Sequence, residues 1–487
     1  MKSIHGHDIL YEQKGDLMIK QLVRYFDQMA VTIRKIQSQK IFSDKDISSF
    51  LHDRENPIYF ILTKKVPQLI KDNQIVRNLY LKDLNDALYS NVEEIIESDN
   101  APLLILLLYY MDRAIVDCYK QQIGFEDDIE VVDALNSNGE DTQISVLKKA
   151  KCKWAPREYG RRIKGIMDNF YYIDHMEMDR MNVRHYILDP GLLFFDRKSE
   201  LKLAISPVTQ KETIEFSNPY ERPNEKTGAR QKLFRVENVI DEHWIQGQVL
   251  ENICIAGENG ADILVFPEML GTQSMLHEVR KRIRQNKTAD VPGLIVFPSI
   301  WEKTENDKEN TNKSCLLLNG DEILFEQHKR CDYKYDTPEG PVYEDINRDR
   351  EKNNVVHMLH VEGLGRICII ICYDYLDTYN RELIMKNLCP TLVCNPSFST
   401  GSFNFEILGE SYFKQGCNWI WCNTCSAANL TEKEKNFEII GMITTLSKDC
   451  DQTKSDSFKQ IFEGKTKCQK SECKNCIYCA EIPLVMQ

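Results

Sequence analysis

The chain has 487 residues, 42% of them hydrophobic and 28% charged, which suits a soluble globular protein with more than one core. A formal net charge of −12 argues against nucleic-acid or anionic-membrane partners, because phosphate binding rests on clustered Lys and Arg. No apolar run approaches the length of about 18 residues that a membrane helix needs, and the opening MKSIHGHDILYEQKGDL lacks an apolar signal region. A cytoplasmic protein is expected, with its 17 cysteines as thiols or metal ligands rather than a disulfide framework.

Residues 1–145 read as a mostly helical domain. Met18, Leu22, Tyr25, Phe26 and Met29, and later Leu84, Leu88, Val92 and Ile96, recur at helical steps, and Pro102 opens the most apolar segment. The region carries no nucleotide-binding loop and no HExxH, so a module that docks a protein partner is the default. The SNGED stretch near Asn136 marks a boundary, and 146–197 reads as a connecting segment. Basic stretches from Lys148 to Lys164 and from Arg280 to Lys287 read as solvated faces.

From Leu201 the strand and helix alternation of an α/β unit begins. LKLAISPV is a strand, Ser217 to Gln231 a long polar excursion, and Val236 to Ala256 a helix. A strand from Asp262 to Phe266 delivers Glu268, and Glu302 to Lys313 reads as a loop. A shorter apolar segment after the Asn319-Gly320 turn delivers Lys329. LGRICIIICYDYL, Leu364 to Leu376, reads as a fully buried strand with Cys372 at its carboxyl end, where α/β sheets collect chemistry. Helices over 377–388 and 405–417 and strands over 391–395 and 419–424 follow; beyond about 450 the periodicity dissolves into a Cys-rich tail, 451–487. Taken alone, Cys372 is most simply a small buried hydrophobe. Three reactive residue types at three strand ends, in the order Glu, Lys, Cys, change that reading.

VFPE, then a lysine after a glycine turn and strand, then a glycine-led strand ending in CYD, resembles the nitrilase, or carbon–nitrogen hydrolase, superfamily over roughly residues 198–450. Lys329 lies 61 residues after Glu268, which suits the likeness. The resemblance implies an α/β fold, specifically a four-layer α-β-β-α sandwich, and hydrolysis of a small amide, carbamoyl compound or nitrile through a cysteine thioester. It makes Glu268 the base, Lys329 the cation and Cys372 the nucleophile, with no cofactor for catalysis. A second glutamate that positions the lysine is expected between Lys329 and Cys372; Glu344 is preferred, with Glu339 open. Tyr373, Asn395, Phe398 and Phe403 would shape the substrate pocket. The family likeness also implies a symmetric homo-oligomer. The chain departs from the family pattern at Arg330, Cys331 and Asp332 and at Tyr375 and Leu376, which bears on substrate but removes none of the three groups.

The tail holds Cys468, Cys473, Cys476 and Cys479 within twelve residues. Four thiolates at this spacing suit a structural zinc, although the long loop of a zinc ribbon is missing; a partner-facing tail is the equal alternative. Because about half the chain lies outside the resemblance, a second class of function stays open. In it the fold serves as a scaffold or sensor, by analogy in a bacterial antiviral defence system.

Overall fold

The computed structural model describes residues 26–38, 96–97, 104–105, 107–108, 111–112, 129–133, 143–152, 167–178, 181–193, 195–209, 213–223, 228–286, 290–303, 310–346, 354–409, 411–412, 416–428, 439–446, 457–463 and 476–484. Two compact units emerge, one from residues 1–150 with 156–180, the other from 151–155 with 181–487. The boundary therefore falls later than residue 145, and the segment 146–197 is shared between the units rather than being a connector.

In the first unit a helix α1 over 26–38 presents Met29, Ile33 and Ile36 at three- and four-residue steps. They pack with Leu104, Leu108 and Met111 and with strands β1 (Ile144–Lys148) and β2 (Phe170–Asp174), an antiparallel pair. The buried Asp112 carboxylate accepts the backbone N–H groups of Asp168, Asn169 and Phe170 at 2.7, 3.0 and 2.8 Å. Arg34 pairs with Asp174 at 2.8 Å. The unit thus combines helix with a β pair. The other expected helical positions, Met18, Leu22, Tyr25, Leu84, Leu88 and Val92, lie outside the described residues.

The second unit carries two main sheets. Their strands are β3 (Asn182–Leu188), β4 (Glu200–Ile205), β5 (Ile263–Val265), β6 (Leu294–Val296), β7 (Ile300–Lys303), β8 (Asn310–Leu318), β9 (Glu322–His328), β10 (Val355–Val361), β11 (Gly365–Ile369), β12 (Leu392–Pro396), β13 (Asn418–Cys422), β14 (Ile439–Leu446), β15 (Ser457–Glu463) and β16 (Tyr478–Pro483). One sheet runs β7-β8-β6-β5-β4-β16, with β9 on β8; the other includes β3-β10-β11-β12-β13-β14-β15. The central strands β4, β5 and β6 are parallel, as are β11, β12 and β13. Both trios are buried almost throughout, which is why ILV, LIV and ICI read as continuous apolar runs.

Helix α2 (Glu242–Glu258) and helix α3 (Gln273–Gln285) cover the first sheet. Ile245, Val249, Ile253 and Ala256 of α2 and Met275, Val279 and Ile283 of α3 form helical stripes that meet Leu264, Phe266, Ile295 and Leu317. Thr272 starts α3 by accepting Met275 N–H at 3.0 Å. Its basic stretch is spent on acids: Lys281 and Arg282 pair with Glu278, and Arg284 with Asp321. A Cβ at Gly441 of β14 would come within 2.1 Å of Ile205 Cδ1 and 3.0 Å of Trp421 O, so the isoleucine would have to shift to admit a larger residue.

Several local expectations are corrected. Val236–Val239 is a strand paired with Ile214–Phe216, and α2 starts only after Asp241, whose φ of 57° ends the extended run. The polar excursion forms an antiparallel pair, Tyr220–Pro223 with Arg230–Phe234, in a small sheet with Gly340–Glu344 and Lys334–Thr337. Residues 310–313, expected in a loop, are the buried start of β8, where strand pairing on both sides satisfies the backbone. The helix expected over 405–417 spans Phe403–Gly409. The tail is not structureless: β15 pairs β14 and β16 pairs β4. Among the described residues no helix is long and apolar enough to cross a membrane.

Candidate active site

Strand β11 ends three residues before Cys372, whose N–H donates at 2.9 Å to the carbonyl of Pro396, the last residue of β12. A four-residue helical turn, Tyr373–Leu376, starts immediately afterwards. The change of direction forces Cys372 to φ 44° and ψ −110°, a conformation L-residues rarely occupy and one that costs about 1–3 kcal/mol. The surrounding hydrogen bonds hold it there. Cys372 is 5% exposed, and its Sγ faces Phe398 O at 3.9 Å.

Glu268 follows β5 through Pro267 and is wholly buried. Its N–H donates to Ser397 O at 3.2 Å, which links the ends of the two parallel trios. Oε1 accepts Lys329 Nζ at 2.8 Å and Asn312 Nδ2 at 2.8 Å, and Oε2 accepts Phe398 N–H at 2.9 Å. Lys329 leaves β9 with its N–H on Asn312 O at 2.8 Å, and its ammonium reaches Glu344 Oε2 at 2.6 Å. Glu344 ends its strand with Oε2 also accepting Tyr333 N–H at 3.1 Å. The open choice between glutamates is thereby decided by geometry, since Glu339 is exposed and paired with Lys232.

Burial alone would push the Lys329 ammonium down, but Glu268 and Glu344 outweigh it and hold the group well above its ordinary value. Burial raises Glu344, with Lys329 opposing and Glu268 adding to the rise. Burial also pushes the Cys372 thiol well up, Glu268 adds to the rise, and Lys329 opposes it. The thiol, the Glu268 carboxylate and the Lys329 ammonium thus influence one another electrostatically within one buried cluster.

Two residues that sequence reasoning does not single out complete the frame. Asn312 bridges Glu268 and Glu344, the latter at 3.4 Å, and its Oδ1 accepts Ser299 Oγ at 2.7 Å. Ser299 in turn accepts Met269 N–H at 2.8 Å. The one signal for Asn312 is an asparagine shortly before the apolar run CLLL, and the surrounding run of charges masks it. Asp374 ties the turn after Cys372 to the lysine by accepting the N–H groups of Arg330 and Cys331, at 2.9 and 2.6 Å. Burial raises Asp374 to about 7 against the opposing pull of Lys329.

The expected pocket residues divide. Tyr373 and Phe398 flank Cys372, and Tyr373 meets Tyr333 edge to face with ring centroids 5.9 Å apart. Asn395 is fully buried with its amide donating to Ile370 O, so it braces β11 against β12 instead of presenting a polar group to substrate. Phe403 is 72% exposed on its helix and does not wall the site, because the helix begins two residues earlier than expected and turns that side chain to solvent. In the tail, Cys468 and Cys473 lie outside the described residues. Cys476 is buried, and Cys479 sits on β16 against the α2–α3 core. Among the described residues no group of three or more His, Cys, Asp or Glu could hold a metal ion.

Solved structures similar to this chain include a mutant of the Nesterenkonia AN1 amidase from the nitrilase superfamily, 14% identical over 59% of this chain and 92% of that one, with a TM-score of 0.38. Nit3 of Saccharomyces cerevisiae, a member of branch 10 of that superfamily, is 14% identical over 59% of this chain and 92% of its own, with a TM-score of 0.36. The C. elegans NitFhit protein is 14% identical over 59% of this chain and 61% of its own, with a TM-score of 0.35. No family model matches the chain, and no protein with a curated description matches it in sequence. Activity is therefore argued from the site's own geometry.

Proposed function

We propose that the protein is a hydrolase of non-peptide carbon–nitrogen bonds, an amidase-like enzyme on a four-layer α-β-β-α sandwich. The observation that supports it is one buried cluster in which Lys329 bridges Glu268 and Glu344 at 2.8 and 2.6 Å beside the Cys372 thiol. Glu268 takes the thiol proton as Cys372 Sγ attacks the amide carbon. The oxyanion that forms is stabilised by the Lys329 ammonium and the Tyr373 N–H, and removing one such donor typically costs about a hundredfold or more. Glu268 gives the proton to the leaving nitrogen, the C–N bond breaks, and a thioester on Cys372 remains. Glu268 then takes a proton from water, the hydroxide attacks the thioester carbon, and the carboxylic acid leaves as Cys372 regains the proton. Glu344 and Asn312 hold Lys329 and Glu268 in place.

Ammonia release from a panel of small amides, carbamoyl amino acids and nitriles tests this reading, together with intact-mass detection of an acyl adduct. Turnover lost in Cys372→Ala, with a wild-type adduct on Cys372, is the expected result. Absence of both turnover and adduct across the panel would overturn it.

A further inference from the structure

Six aromatic side chains form an unbroken series of ring contacts that begins and ends beside Cys372. Tyr373, the next residue in the chain, meets Tyr333 at 5.9 Å between centroids; Tyr333 meets Tyr335 at 6.4 Å, and Tyr335 meets Phe234 at 5.4 Å. Phe234 meets Phe216 at 5.8 Å, and Phe216 meets Phe398 at 5.8 Å. Phe398 closes the series, since its N–H bonds Glu268 and its carbonyl faces Cys372 Sγ. Apart from Tyr333 and Tyr335, which are two residues apart, the side chains come from separate stretches of chain, so no local packing rule requires them to meet. Tyr333 is 37% exposed whereas Cys372 is 5% exposed, so the series runs from a partly exposed ring to the residues flanking the buried thiol.

The charges around this belt are already engaged. Arg222 pairs with Asp345 and Arg235 with Glu237, Lys334 pairs with Asp336, and Arg330 donates to Asn380 and Asn354. Inside, two carboxylates face one ammonium. A substrate carboxylate would meet repulsion there and would have to displace an existing ion pair or a buried hydrogen bond to find a cation. Aromatic faces and edges, by contrast, favour flat apolar groups through burial and edge-to-face contact.

We propose that this belt selects an uncharged amide whose acyl group carries an aromatic or bulky apolar substituent, with Tyr333 and Phe216 as specificity-determining residues. The inference rests on the hydrolase reading for its turnover readout but not for its binding readout. Phenylacetamide, acetamide, succinamate and 4-aminobutyramide are compared as substrates of the full-length protein and as ligands of Cys372→Ala by calorimetric titration. Phenylacetamide is expected to exceed succinamate at least tenfold in kcat/KM and in affinity, and the phenylacetamide-to-acetamide ratio to fall about five- to tenfold in Tyr333→Ala and in Phe216→Leu while Tyr333→Phe keeps it. Preference for succinamate or 4-aminobutyramide, or a ratio unmoved by either substitution, overturns the belt. Selective binding of phenylacetamide without turnover of any amide would uphold the belt and sink the hydrolase reading; turnover of acetamide without aromatic preference would do the reverse.

Discussion

Lys329 and Glu344 form a 2.6 Å ion pair with both side chains sealed from water, and the lysine's second partner, Glu268, stands 2.8 Å away on its other side. An ammonium held between two carboxylates is fixed in position and in charge. Its net favourable energy depends on every partner staying in place.

Removing one partner therefore has a stated consequence. Glu344→Ala should lower unfolding free energy by about 3–5 kcal/mol, the usual result of leaving one member of a buried pair behind. Glu344→Gln keeps the shape, and is expected to lower kcat/KM by about tenfold or more through a less well held lysine. Urea unfolding and ammonia-release kinetics read the two effects; a Glu344→Gln enzyme as fast as wild type would remove Glu344 from the mechanism.

Asn312 should matter nearly as much. Asn312→Ala deletes hydrogen bonds to two carboxylates, each worth about 1.5–3 kcal/mol when the partner is charged, and is expected to lower kcat by about ten- to a hundredfold. Asn312→Asp sets a third carboxylate beside Glu268 and Glu344 and should be worse. Finding the aspartate variant the more active of the two would contradict this account.

The backbone at Cys372 offers a test independent of substrate. Its φ of 44° is strained for any residue with a Cβ, so Cys372→Gly is expected to be more stable than Cys372→Ala by about 1 kcal/mol, the relief of strain less the entropy cost of glycine. Both variants should be inactive. Thermal unfolding of the pair decides it, and an alanine variant equal to or above the glycine variant would refute the strain.

Alkaline pH should loosen the second unit. Burial pushes the thiols of Cys315 and Cys394 up to about 12 and those of Cys368 and Cys372 well up. Above about pH 8.5 the unfolded chain releases thiol protons that the folded chain keeps, so the folded state binds more protons and stability falls as pH rises. Below that pH the contribution is fully present. Lys329, also raised, acts in the same direction from about pH 10.4 upward. The urea midpoint should fall steadily between about pH 8.5 and about pH 10, and less steeply in a Cys368→Val, Cys394→Val double variant. A flat midpoint across that range would show that these thiols do not control it.

Much of the second unit is legible in the amino-acid pattern. ILVF and ICIII are apolar on both faces because parallel strands covered on both sides have no solvent face, and that signal survives without knowing the partners. Glu268, Lys329 and Cys372 are visible because each reactive side chain closely follows an apolar run. Val236–Val239 and the start of β8 mislead a sequence reading because their strand identity comes from distant partners, Ile214–Phe216 for one and β7 and β9 for the other. The strands of the tail escape it for the same reason: β16 is a strand because β4 pairs with it.

That a glutamate, a lysine and a cysteine stand just past strand ends is written in the order of residues, because periodicity and turn residues act over a few positions. Folding in three dimensions makes the remaining choices: Glu344 and not Glu339 holds the lysine, Asn312 bridges both carboxylates, and aromatic rings from distant stretches meet in series. Those are contacts between residues far apart in the chain, set by how sheets and loops meet, and no local pattern encodes the distance between them.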